Sequence, residues 1–204
     1  MTRRRDTAKG IFHVTCHSVW DLDLYRDDID RTNYCALLAQ TTAQLGWECV
    51  GVCLMRTHVH LILGVEDGVL AEGMQKLGFR YAVGFNARHR RRGRIFGAPY
   101  GLRRVGDDAD LLGVYRYVML NPVEADLVER PEEWLWSSYA STVRLRDTFS
   151  FVDAGRVLGC LGGSSEIAAA RLRAFVEGDL PVTVRRHAEA PAGRRRANEH
   201  GRLG

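Results

Sequence analysis

Lysine is nearly missing from this chain: only Lys9 and Lys76 stand among 29 basic residues, so arginine carries the positive charge. Arginine's planar fork suits phosphate better than a flexible ammonium does, although genome composition can produce the same bias. There is no Cys-x-x-Cys pair, and the five cysteines (Cys16, Cys35, Cys49, Cys53, Cys160) are odd in number. That argues against a zinc knuckle and against a disulfide framework, and it fits a reducing cytoplasm. No apolar run is long enough to span a membrane. The first residues, Met1 to Asp6, are charged with no apolar segment after them, so a secretory signal is not indicated. A soluble, cytoplasmic protein without a membrane partner is the expectation. There is also no internal repeat. What is present is 204 residues, 46% of them hydrophobic, with a net charge of +4. That is enough for one domain with a real core plus attachments.

The stretch that organises the rest is Thr57-His-Val-His-Leu-Ile-Leu63. It is short, branched and apolar except for its histidines, which reads as a strand. Side chains alternate along a strand, so His58 and His60 share a face, with Val59, Leu61 and Leu63 on the other. Two imidazoles about 7 Å apart along the backbone can turn onto one divalent ion. On the pair alone, one packed histidine and one surface histidine is the commoner arrangement.

Residues 1–10 read as a basic arm. Residues 11–17 form a strand with Ile11, His13, Thr15 and His17 on one face. From Asp28 to Leu45 the period is helical, with Tyr34, Leu37, Leu38, Thr41 and Leu45 on one stripe, Asp27 and Asp28 at the start and Gly46 as the stop. Residues 47–55 form a strand that turns near Arg56-Thr57 into the histidine strand. A second helix spans Val69 to about His89, followed by the basic run Arg88-His-Arg-Arg-Arg-Gly-Arg94. A fourth strand is expected at 100–105. A helix over 107–121 follows, begun by Asp107, Asp108 and Asp110 and stopped at Pro122.

The order β-α-β-β-α-β predicts an α+β fold: a ferredoxin-like split βαβ antiparallel sheet with its two helices on one face, plus added C-terminal helices. Trp134, Trp136 and Tyr139 should pack back onto a domain spanning 11–140. Residues 141–182 form a helical extension, with a helix near 165–176, and 183–204 a disordered basic tail.

On the helix at 107–121, Tyr115 falls with apolar neighbours. Tyr117 shares a stripe with Gly113 and Asn121. A hydroxyl, an amide and a gap suit a phosphate or a nucleic-acid strand better than a core. A partly buried tyrosine with a solvated tip is the plain alternative.

Six stretches, taken in order, carry a resemblance: Phe12-His-Val-Thr, Leu54-Met-Arg-Thr-His-Val-His-Leu-Ile-Leu63, Arg80-Tyr-Ala-Val-Gly-Phe-Asn86, Gly93-Arg-Ile-Phe96, Arg116-Tyr-Val-Met-Leu-Asn-Pro-Val-Glu-Ala125 and Trp136-Ser-Ser-Tyr139. They resemble the single-tyrosine transposases of the HUH endonuclease superfamily, and within them the REP-associated tyrosine transposases of bacteria. The resemblance implies Tyr117 as nucleophile, His58 and His60 as ligands of a divalent metal, Mg or Mn, and Asn121 as a further ligand or a residue that orients the site. It also makes His13 a neighbour of the site, with neither His13 nor His17 taken as a ligand. It implies cleavage and rejoining of single-stranded or hairpin DNA, repeat-derived, through a 5′-phosphotyrosine intermediate. Arg80, Arg88, Arg90, Arg91, Arg92 and Arg94 are candidate phosphate contacts; a solvated helix end is the alternative for this run. The tyrosine could meet the histidines of its own chain or those of a partner, so a homodimer is one arrangement. Two rival readings stand beside the enzyme: a nucleic-acid-binding module on an RNA-recognition-like scaffold, and a former transposase retained for binding alone.

Overall fold

The computed structural model describes residues 8–97 and 99–178. Its strands and helices are β1 (Gly10–His17), α1 (Asp28–Leu45), β2 (Glu48–Leu54), β3 (His58–Val65), α2 (Val69–Arg88), β4 (Gly101–Arg104), α3 (Asp108–Glu124), α4 (Tyr139–Thr142), α5 (Ala154–Gly159) and α6 (Ser165–Glu177). The expected tail at 183–204 and most of the expected arm lie outside the described residues; Gly10, placed in the arm, opens β1.

Local chemistry sets the element ends. The Asp27 carboxylate accepts from the Asp30 amide at the start of α1, and Gly46, at φ 63, closes the helix by donating to Thr42 O. Asp107 caps α3 in the same way through Asp110 N. The expected stop at Pro122 is not observed: α3 continues to Glu124 with Pro122 buried inside it. A proline in the last turn forfeits a single intrahelical bond. Leu127 N donates to Pro122 O at 2.9 Å, and burial of the ring offsets the rest.

The sheet order is β2-β3-β1-β4, with each neighbouring pair antiparallel. One face carries Phe12, Val14, Val59, Leu61 and Leu63, and packs against Tyr34 and Leu38 of α1 and Leu70, Leu77 and Tyr81 of α2. This is the expected split βαβ core. The opposite face carries Val50, Cys53 and Ile62 under Leu111, Tyr115, Val118 and Met119 of α3, with Tyr139, Val157 and Leu172 from the added helices. The sheet is therefore covered on both sides.

Two features press α3 onto the sheet. The β2–β3 register jumps between Cys49 and Gly51, a bulge that turns Val50 toward α3. A Cβ on Gly51 would stand 3.0 Å from Met119 Cε and 3.3 Å from Ile62 Cδ1, so the missing side chain lets the helix approach. The C-terminal segment closes the edge of β2: Leu54 N donates to Trp136 O and Ser138 N to Val52 O, both at 2.9 Å. Trp134 Nε1 donates to Leu54 O, and Tyr139 is fully buried, as expected of this wrap. The Arg116 side chain binds the carbonyls of Phe175, Val176 and Gly178, a cation at the C-terminus of α6. Among the described residues no helix is long and apolar enough to cross a membrane.

Candidate histidine–tyrosine site

The alternation of β1 and β3 becomes a site through their register. Thr15 lies opposite His60, His17 opposite His58, and His13 opposite Ile62. Four imidazoles therefore meet on the face that α3 covers. His60 is 1% exposed, while His17 lies exposed at the other end of the row. The His13 and His60 rings stack with centroids 5.1 Å apart, His17 and His58 at 5.2 Å, and His58 meets His60 edge-on at 4.9 Å. His13 Nε2 and His60 Nδ1 share a hydrogen bond of 2.9 Å, with Thr15 Oγ1 at 3.4 Å from each. Neither His13 nor His17 is a ligand expected from the sequence. Their shared strand face was legible, and the resemblance puts His13 near the site; the pairing that also brings His17 against His58 was not legible.

Tyr115 is buried, as its apolar stripe implies, and Tyr117 faces the histidines. Its ring stands edge-on to His60 at 5.7 Å and to His13 at 5.9 Å between centroids. One turn later, Asn121 Nδ2 donates to Tyr117 O at 2.8 Å. That leaves the amide oxygen for the site, and the Asn121 side chain favours the protonated form of His60. A Cβ at Gly113, on the same stripe, would meet nothing within 4 Å. The stripe thus borders open space at Gly113, and one chain supplies both the tyrosine and the imidazoles.

Burial, and then the Arg103 guanidinium, hold His13 down to about 4. Burial, and then the neighbouring imidazoles, push His60 well below the usual histidine range. Both rings are neutral near pH 7 and have lone pairs to offer. His60 Nε2 is buried without a hydrogen-bond partner. An orphaned imidazole nitrogen beside a second histidine and an amide is a donor set that fits a divalent cation. Among the described residues no group of three or more His, Cys, Asp or Glu side chains could hold a metal ion. A cation here would rest on His58, His60 and Asn121, two imidazoles and an amide.

The six arginines separate. Arg88 donates to Asp27 and Asp30, and His89 binds the same buried Asp30 at 2.8 Å. Arg80 Nη2 donates to Gln40 at 2.8 Å. Both line a groove between α1 and α2, on the far side of the sheet from Tyr117. The structure does not bring Arg80 or Arg88 to the histidines, because α2 packs on the other face and the N-terminal carboxylates of α1 take up Arg88. Arg91 ties its own loop through Asn86 Oδ1 and Arg94 O, and Arg94 donates to Gly97 O. Arg90 and Arg92 are exposed. The loop they enter runs beside the end of β1, where Gly97 N donates to His17 O and Val19 N to Ile95 O, both at 2.9 Å. Its positive charge thus borders the exposed end of the histidine row.

No protein-family model matches the chain, and no curated protein matches it. Solved structures do. A REP-associated tyrosine transposase, bound to a REP hairpin, aligns with a TM-score of 0.59 at 14% identity, over 71% of this chain and 85% of that one. A candidate transposase from Deinococcus radiodurans R1 aligns with a TM-score of 0.42 at 18% identity, over 58% of this chain and 95% of that one. The first likeness covers most of both chains, and by it this protein has the fold of the REP-associated tyrosine transposase.

Proposed function

We propose that this protein is a metal-dependent DNA strand transferase of the transposase type, with Tyr117 as its nucleophile and single-stranded or hairpin DNA as its substrate. The observation that carries the reading is the Tyr117 ring standing edge-on to the half-buried His13 and the buried His60, with open space at Gly113 one turn earlier on its helix. Tyr117 Oη attacks the phosphorus of a phosphodiester. The new bond joins the tyrosine oxygen to phosphorus, and the bond to the 3′-oxygen breaks in line with it. The phenol's proton is lost and the leaving oxygen gains one, giving a 5′-phosphotyrosine and a free 3′-hydroxyl. Bond energy is kept in the ester, so reversal by another 3′-hydroxyl rejoins a strand without a nucleotide cofactor.

His58, His60 and Asn121 would hold the metal, Mg or Mn. Bound there, it supplies Lewis-acid stabilisation of charge on a non-bridging phosphate oxygen. Asn121, tied by its Nδ2 to the helix, keeps Tyr117 and the amide oxygen in fixed relation. Arg90, Arg92 and Arg94 are assigned to the DNA backbone. Arg80 and Arg88 are left with structural roles, since Gln40, Asp27 and Asp30 hold them. The neighbour's REP hairpin supports a folded-back DNA partner. An RNA-recognition scaffold is disfavoured, because it needs an open sheet face for stacking and here α3 and the added helices cover that face.

The test is covalent capture. Wild-type protein, labelled hairpin DNA and manganese should yield a denaturant-resistant complex whose modified residue maps to Tyr117. Tyr117→Phe should yield none while still binding DNA. An adduct on Tyr117→Phe would assign the nucleophile elsewhere.

A further inference from the structure

Trp20 is 88% exposed, belongs to neither core cluster, and sits at φ 49. Asp21 follows at φ 53, and Leu22 N donates to Val19 O at 2.9 Å, closing a tight turn over both. Two left-handed central residues make the kind of turn normally filled by Asn-Gly. A bulky aromatic in that region is a strained outlier. Folding gains nothing from strain at a solvated side chain, so the residue's use lies outside the fold.

The turn is held firmly on both sides. Ser18 N donates to Thr57 O at 2.8 Å and Val19 N to Ile95 O at 2.9 Å. Leu24, just past the turn, is fully buried, and its amide donates to Arg56 O at 2.9 Å. Trp20 is therefore displayed on a fixed base. It stands three residues beyond His17, whose ring lies against His58, and Val19 is hydrogen-bonded to the segment that follows Arg92 and Arg94. No other large apolar side chain is exposed within residues 17–26 or 90–97. A lone aromatic face without an apolar surround suits a planar base better than a protein partner. Asp21 repels phosphate at the tip, so the sugar–phosphate side belongs toward the arginines.

We propose that Trp20 is a stacking platform for an unpaired base of the strand whose backbone reaches the histidine–tyrosine site. The inference rests on the nucleic-acid reading above but not on its chemistry. An exposed aromatic beside a basic track is the pattern by which proteins hold single strands without reading their sequence.

The experiment measures affinity for a fluorescein-labelled single-stranded oligonucleotide and for the blunt duplex of the same sequence. It uses the Tyr117→Phe protein, so no adduct can form. Trp20→Ala should weaken single-strand binding by ~5- to ~100-fold, Trp20→Phe should keep most of it, and duplex binding should not change. Trp20→Gly should lose affinity like Trp20→Ala yet melt at a higher temperature than its parent, because glycine relieves the turn. A Trp20→Ala protein that binds the single strand as its parent does, or loses both DNAs equally, overturns the proposal. If wild type forms no adduct but Trp20→Ala loses single-strand binding, the platform stands and the strand-transfer chemistry falls; the reverse pair of results removes the platform alone.

Discussion

His13→Leu tests whether the first strand supports the candidate metal centre. His60 is buried with Nδ1 bonded to His13 and Nε2 without a partner. Removing the His13 ring leaves Nδ1 of this buried imidazole with only Thr15 Oγ1, at 3.4 Å, as a partner. A buried polar group left unsatisfied costs about 1–3 kcal/mol. For a domain of this size each kcal/mol moves the melting temperature by about 2–4 °C, so the variant should melt roughly 2–12 °C lower. A second effect falls on the metal. Nε2 offers a lone pair only while His60 keeps its proton on Nδ1, donating to His13. Lost partners of this kind typically weaken metal binding 10- to 100-fold, about that much being expected here for manganese by calorimetry. His17→Leu, which removes an exposed ring, is the control and should stay within about 0.5 kcal/mol of wild type. If His13→Leu melts like wild type and takes up manganese with the same affinity, the bond between the two imidazoles supports neither the fold nor the metal.

Replacing Arg90, Arg92 and Arg94 together by Ala should flatten the salt dependence of single-strand binding. Each lost phosphate contact lowers the slope of log K against log salt by about 0.7, so fluorescence anisotropy across a salt series should give a slope smaller by about 2. An unchanged slope would take the loop off the DNA path. The thiols give a separate check on burial. Burial pushes Cys16, Cys35 and Cys49 up to about 12, and Cys53 higher still. At pH 8 only about one in ten thousand of the first three is thiolate, the reactive form, and the fraction grows as pH rises toward 12. Native protein should leave all four unalkylated, with Cys160 labelled first and all five labelled in denaturant. Native labelling of any of the four at its denatured rate would contradict their packing.

Much of the site was written in local periodicity. His58 and His60 share a face because a strand repeats every two residues, and Tyr117 lies with Gly113 and Asn121 because a helix returns after four. Asp27, Gly46 and the element order needed no tertiary information either, since caps and apolar stripes act on their own neighbours. The stop at Pro122 failed where burial outweighed one missing hydrogen bond.

What lies far apart in the chain had to wait for folding. The β1–β3 register sets Thr15 opposite His60 and so draws His13 and His17 into the row. The capture of Arg88 by Asp27 and Asp30 spans about sixty residues, and no charge run reveals which of its arginines will be spent inside the protein. Sequence determined which faces the histidines and the tyrosine occupy, because backbone geometry fixes those from residue to residue. Only the tertiary structure decided that the faces meet, because register, the bulge at Val50 and the close approach over Gly51 are settled by packing among distant segments.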